Sequence, residues 1–404
     1  MSRSIKQKPA MNKTIDVLVA GGGAAGLATG LALARAGLTV TIAGVPQTIR
    51  DDARSAALFA SSFAFLDRIG AGDRLRAKGW PLRAIRIVDV TGALVRSPTT
   101  TFKAIEIGEP AFGWNIANAE ILAELIAMAK ETPGITLLPA LVSSHRVAGG
   151  NIIATLADGS KITARLLIGA DGQKSSVRQV AGIKARIKPY RQVAITARAT
   201  HARDHDDIST EFHTRQGPLT FVPSGEKRSA IVWLMRPEEA DRRLALPLAE
   251  FTREMERMSG HFLGPLTLEG PQGRVPMQKL VADQLVAPRV ALVGEAAHAF
   301  PPIGAQGLNL GFRDCDALGK RVSEAFRAGR DIGSEEVLAA YARDRKMDVE
   351  ARSAGVDILN TAIIGNLLPL DLARAAGLGL FNAVPPLRRL AMRLGGGMPV
   401  FGAK

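Results

Sequence analysis

The residues Gly21-Gly22-Gly23-Ala24-Ala25-Gly26 follow directly on the apolar run Ile15-Asp16-Val17-Leu18-Val19-Ala20 and open an Ala/Leu-rich stretch over 26–36. No other feature limits the possible folds as much. GxGxxG is a weak pattern by itself, but between a strand and a helix each glycine has a task. Gly21 permits a tight turn, Gly23 lets backbone approach a pyrophosphate, and Gly26 lets the helix pack on the strand. Ala24 and Ala25 lead into the helix, whose N-terminal unpaired N–H groups and positive dipole end favour phosphate. Leu38-Thr39-Val40-Thr41-Ile42 reads as the next strand, so the segment is a βαβ unit with parallel strands and a right-handed crossover. Such folds usually close the second strand with Asp or Glu, which holds the ribose hydroxyls. Here Ala43-Gly44 occupies that place, and Asp51, Asp52 and Arg54 are the nearby substitutes.

With 404 residues the chain suits two domains. Its lone cysteine, Cys315, excludes an internal disulfide and a dithiol redox pair, and no Cys/His spacing suggests a metal site. Aromatic residues make up 5%, too few for stacked nucleic-acid platforms, and no nucleic-acid-binding motif accompanies the net charge of +14. That charge favours an anionic cofactor, an acidic partner or an anionic lipid surface. The polar, basic first thirteen residues lack the apolar core of a signal peptide. No apolar run of about twenty residues predicts a membrane span, and the expected location is the cytoplasm.

Two more motifs stand far downstream. Gly169-Ala170-Asp171-Gly172-Gln173-Lys174-Ser175-Ser176-Val177-Arg178 follows the apolar Leu166-Leu167-Ile168. Leu292-Val293-Gly294-Glu295-Ala296-Ala297-His298 runs on into Pro301-Pro302-Ile303-Gly304-Ala305-Gln306-Gly307-Leu308-Asn309-Leu310-Gly311-Phe312-Arg313-Asp314. In this order and at these separations the three motifs resemble the para-hydroxybenzoate-hydroxylase-like class of FAD monooxygenases. The stretch 305–314, with Asp52-Ala53-Arg54-Ser55-Ala56-Ala57-Leu58 and the helix around Tyr341, resembles the ubiquinone-biosynthesis hydroxylase branch of that class. The resemblance covers nearly the whole chain from Ile15 onward.

It implies an α/β fold: a Rossmann-like FAD-binding domain, a smaller antiparallel-sheet substrate domain and C-terminal helices. FAD-binding segments are expected at 14–80, 111–185 and 276–345, substrate-domain strands at 81–110, a substrate domain at 186–275 and a helical region at 346–404. Gly21, Gly23, Ala24, Ala25 and Gly26 would hold the FAD pyrophosphate, and Arg54 would lie near the flavin. Asp171 and Gly172 would serve the pyrophosphate and the nicotinamide cofactor. Gly294 and Glu295 would meet the ribityl chain, at a place where Asp is commoner than Glu. Pro302, Gly304, Gln306, Gly307, Leu308 and Asn309 would form the turn and helix start at the flavin N1–O2 edge, whose positive end favours reduced flavin.

Plainer roles stand beside these: Asp171-Gly172 as a turn, Arg178 as a surface charge, Glu295 as a cap, His298 as a structural residue. The chemistry implied is reduction of FAD by NAD(P)H, activation of O2 and delivery of one oxygen atom to an electron-rich ring carbon. The expected substrate is a lipophilic phenol, for which the apolar segment 217–223 is a candidate surface. No carboxylate or histidine stands out by spacing as the phenol-activating base, so the catalytic residue is unassigned. A small soluble aromatic substrate is the alternative. A flavin-binding accessory or redox-sensing subunit is the alternative of another class, left open by Gly44 and Glu295. The apolar and arginine-rich region 356–404 reads either as an interface to a membrane surface or lipid-biosynthetic complex, or as a helical layer on the FAD domain.

Overall fold

The computed structural model describes residues 14–49, 53–92, 97–301, 306–364 and 384–395. The strand Ile15–Ala20 pairs in parallel with Val40–Ala43 on one side and Lys161–Gly169 on the other. Ile135–Leu138 and Val290–Leu292 extend the sheet outward, again in parallel. Val17, Leu18, Val19, Leu166, Leu167, Ile168 and Ala291 are buried, because helices or a hairpin cover both faces. The helix Ala24–Arg35 makes the first crossover and shares its core cluster with Phe312, Leu318 and Val322 of the helix Gln306–Arg327. A hairpin adds to this sheet: Asn151–Leu156 runs antiparallel to Lys161–Gly169, turned at Asp158-Gly159 with Gly159 at φ +83°. The helix Asn118–Glu131 starts after Ala117, its N-cap.

The second sheet has eight strands. Its order is His298–Ala299, Leu266–Ala282, Ala185–His201, Arg228–Met235, Gly217–Gly225, Ile208–Thr214, Ala84–Asp89 and Thr100–Lys103. One face is sealed by the helices Pro237–Leu244 and Leu248–Met258, whose Ala240, Phe251 and Met255 share a core with Phe212, Phe221 and Trp233 of the sheet. The strand Leu266–Ala282 runs unbroken through position 275, where a segment boundary was expected. Its far end pairs with His298–Ala299, so the loop leading to the expected flavin turn is the edge of the substrate sheet. A three-stranded sheet of Ser55–Phe59, Gly113–Ala117 and Trp80–Pro81 lies between the two bodies. The amide of Asn115 ties it to the substrate sheet by donating to the Pro223 carbonyl at 2.9 Å.

The long helix Glu335–Ile364 buries Tyr341, whose hydroxyl donates to the Leu292 carbonyl at 2.7 Å. The helix Pro385–Gly395 packs on the substrate sheet rather than on the FAD domain. Met392 joins Ala104, Ile107 and Phe112, and Arg388 pairs with Glu106 at 2.6 Å above the Phe102 ring. Arg374, Leu367-Leu368 and the run 378–381 lie outside the described residues. Among the described residues no helix is long and apolar enough to cross a membrane.

Candidate active site

Three loops meet at the carboxyl ends of the parallel strands. Gly21, at φ +119°, leaves no room for a side chain, because a Cβ there would collide with the Ala170 carbonyl. The first and second motifs therefore touch backbone to backbone. Gly294, at φ +60°, lies where a Cβ would stand 3.0 Å from the Ala25 side chain, and a Cβ on Gly311 would stand 3.4 Å from Gly294 Cα. The third motif thus closes on the first. A Cβ on Gly26 would strike the Gly21 carbonyl, as close helix–loop packing requires. Gly23 differs: among the described residues, nothing beyond its chain neighbours lies within 4 Å of a Cβ there. It is also the N-cap of the helix, with no side-chain cap on the first N–H groups. Open space in front of free N–H donors is what a pyrophosphate needs.

The second motif is braced internally. The Asp171 carboxylate accepts from the Ser175 hydroxyl, from the Ser176 hydroxyl at 3.0 Å and from the Val177 N–H at 3.1 Å. These bonds place it at the start of the short helix Ser176–Val180. Gly172, at φ +78°, faces open space. Arg178 is not a surface charge. It is 5% exposed and donates to the Ala296 carbonyl at 2.8 Å and the Gln173 carbonyl at 2.7 Å, bolting the second motif to the third.

The third motif hangs on a buried carboxylate that spacing did not single out. Asp314 has no exposure, and it accepts from the Gly294 N–H at 3.0 Å, His298 Nε2 at 2.6 Å and Arg345 Nε at 2.7 Å. Burial pushes its carboxyl upward, but His298 and Arg345 together outweigh that and hold it below the usual range. Arg345 also reaches Asp348 at 2.7 Å. His298 is therefore a buried partner of Asp314. Between these fixed residues Glu295 is exposed, on the turn Gly294–Ala296, and it makes no side-chain bond to a described residue.

Asn309 serves the protein. Its carbonyl accepts from the Phe59 N–H at 2.9 Å and the Ser62 hydroxyl at 2.7 Å, and its amide donates to the Ala57 carbonyl at 2.8 Å. It thereby fixes the strand Ser55–Phe59, which begins beside Arg54, to the start of the helix Gln306–Arg327. Arg54 is exposed, and its carbonyl accepts from the Asn118 N–H. Gly307 and Leu308 lie half-buried in the first turn of that helix, and Gln306 begins it. Pro302 and Gly304 lie outside the described residues, as do Asp51 and Asp52. Gly44, in the place where a ribose acid is usual, sits at φ +81°, a backbone conformation that strains any side chain.

A nucleotide cradle at a parallel sheet, three converging loops and a second sheet beside them fit an FAD-dependent monooxygenase, the class that similarity to known proteins shows. The chain belongs to the FAD binding domain family, whose model matches residues 14–353. It is 34% identical over 388 residues to the ubiquinone hydroxylase UbiL of Rhodospirillum rubrum, covering 95% of this chain and 89% of that protein. It is 30% identical over 393 residues to the 3-demethoxyubiquinol 3-hydroxylase of Escherichia coli K12, covering 95% and 98%. In fold it matches PqsL, a probable FAD-dependent monooxygenase from Pseudomonas aeruginosa. That match has a TM-score of 0.78 at 22% identity, over 91% of this chain and 100% of that one.

Proposed function

We propose that this enzyme hydroxylates the ring of a lipophilic, polyprenylated phenol in ubiquinone biosynthesis, using NAD(P)H as electron donor and O2 as oxygen source. The observation that carries the reading is similarity along almost the full length of two ubiquinone-pathway hydroxylases. The geometry supports it. The residues present fit FAD: Gly23 leaves the pyrophosphate space, and Glu295 is presented for the ribityl hydroxyls. Bound there, FAD would take a hydride from the nicotinamide and activate O2. The chain's own part is to orient. Arg178, Asp171 and Asp314 hold the loops rigid, so donors need not reorganise when charge develops.

The sheet face opposite the two sealing helices supplies an apolar floor for a ring. Ala194, Leu234 and Met277 cluster there with Tyr190, Val232 and Val275. The segment 217–223 contributes only half its side chains to that floor. Leu219 and Phe221 belong to the helix-covered core, and Thr220 and Val222 alternate with them.

A polyprenyl substrate resides in lipid, so the enzyme works in the cytoplasm while touching a membrane surface or a lipid-biosynthetic complex. The support is the helix Pro385–Gly395, where Arg389 and Leu390, with Val384 just before the helix, are exposed while Arg388 and Met392 anchor it. Accumulation of an under-hydroxylated prenylphenol in cells lacking the protein, reversed by its return, tests the whole reading. An unchanged quinone profile would refute it.

A further inference from the structure

A phenol ring gives electrons to oxygen most readily as its O–H proton leaves, so a hydroxylase of the kind proposed above needs a proton acceptor at its substrate floor. We infer that Glu211 is that acceptor and that His213 positions it; the assignment rests on the phenol reading. Side chains alternate along the strand Ile208–Thr214, and Phe212 enters the helix-covered core. Glu211 and His213 therefore share the opposite face. Register places Glu211 between Ile87 and Thr220, with Thr220 beside Val232 and Val232 beside Thr196.

Apolar clusters close this row at both ends. Ala194, Leu234 and Met277 lie toward the flavin-loop edge, where His298–Ala299 pairs with the sheet. At the other edge Ile85, on the face of Ile87, packs with Phe102, Phe112 and Met392 of the C-terminal helix. Between the clusters Ile87, Glu211, Thr220, Val222 and Val232 stay half-buried, whereas Phe212, Leu219, Phe221 and Trp233 on the sealed face are buried. The floor is thus a strip of aliphatic and threonine side chains that holds a carboxylate–imidazole pair.

The pair is tightly held. Glu211 Oε1 lies 2.6 Å from His213 Nε2, and the Thr220 hydroxyl donates to Oε2 at 3.4 Å. The Glu211 side chain is 29% exposed and that of His213 is 10%. Asp89, opposite His213 in register, spends its carboxylate on the Thr91 N–H and hydroxyl and on the Ser97 N–H. Arg198, one row further on the same face, is the nearest cation in register and lies beside Glu269.

As the ring carbon bonds to one atom of the reduced O2, the O–O bond breaks and the other atom leaves toward water, and the phenol O–H becomes acidic enough for a carboxylate to accept its proton. The O–H bond breaks, the proton passes to Glu211 Oε2, and its electron pair becomes the carbonyl π bond of a dienone. Loss of the ring proton then restores aromaticity. Overall, phenol, O2, NAD(P)H and a proton give the dihydroxybenzene, NAD(P)+ and water.

The test uses the full-length holoenzyme with 2-prenylphenol as probe. Glu211→Gln keeps the shape and removes the base. FAD content and unfolding temperature should persist, while hydroxylation falls about a hundredfold or more. Reducing equivalents should then leak to hydrogen peroxide, and the acid limb of the pH–rate profile should vanish. His213→Gln should displace that limb rather than abolish turnover. If Glu211→Gln fails to fold, Glu211→Asp must hydroxylate more slowly with a shifted acid limb. Hydroxylation within threefold of wild type and an unchanged profile, in Gln or in Asp, overturns the assignment alone. A wild type indifferent to the phenol overturns the phenol reading and Glu211 with it.

Discussion

Replacing Asp314 with Asn tests whether one buried carboxylate holds the flavin loop in place. The side chain keeps its shape, but its charge is lost between the Gly294 N–H, His298 and Arg345. An amide N–H then faces the Arg345 guanidinium, which is left with Asp348 as its remaining carboxylate. Removing one partner of a buried ion pair costs about 3–5 kcal/mol, and Asp348 keeps the loss toward the lower end. Because Gly294 moves with Asp314, FAD binding should weaken together with stability. The assay is urea unfolding of wild type, Asp314→Asn, Arg345→Met and the double variant, followed by flavin fluorescence.

The cycle should give a coupling energy of about 1–3 kcal/mol. The acid dependence follows from the direction of the shift. Burial raises the Asp314 carboxyl, but His298 and Arg345 more than offset it, so the folded state holds it below its unfolded value. That stability is present above the unfolded pKa of about 4 and is lost as pH falls below it. Asp314→Asn should therefore flatten the acid-induced loss. A coupling near zero, with wild-type FAD affinity in Asp314→Asn, would refute the reasoning.

Other outcomes separate binding from folding. Gly23→Val should fold, because a Cβ there meets no described atom beyond its chain neighbours, yet lose FAD; Gly26→Ala should destabilise the apoprotein through the Gly21 carbonyl, as thermal unfolding will report. Glu295→Ala should weaken FAD binding by about 1.5–3 kcal/mol, the value of a hydrogen bond to a charged group, and equilibrium titration of the apoprotein measures it. Cys315 is buried, donates to the Ala25 carbonyl at 3.2 Å and has its thiol pushed up to about 12, so a thiol reagent should label it only in denaturant.

The dinucleotide half of the fold was legible because its constraints are local. Glycines at fixed offsets between a strand and a helix leave few alternatives, and Gly21 and Gly26 behave as steric reasoning requires. The site's bracing was harder to read. Asp314 meets His298 sixteen residues before it and Arg345 thirty-one after it, a contact created only when two helices and a loop pack. Arg178 looked like a solvated charge because nothing in its segment marks the Ala296 carbonyl as its acceptor. Asn309 sits in a cofactor motif, yet its amide is spent on the strand Ser55–Phe59. The strand Ile208–Thr214 was not read from the sequence, and only the helices over Phe212 reveal that Glu211 and His213 share the opposite face. The C-terminal arginines looked free to meet lipid, whereas Arg388 is committed to Glu106.

The central claim is that reduced flavin in this enzyme places one atom of O2 on a lipophilic phenol. The most direct measurement supplies purified holoenzyme with NAD(P)H, 2-prenylphenol and oxygen-18 gas, then examines the product by mass spectrometry. The account predicts phenol-stimulated NAD(P)H oxidation and a new ring hydroxyl carrying the gas-derived label. Flavin-loaded enzyme that oxidises NAD(P)H at the same rate with and without the phenol, and yields no labelled ring product, would contradict it.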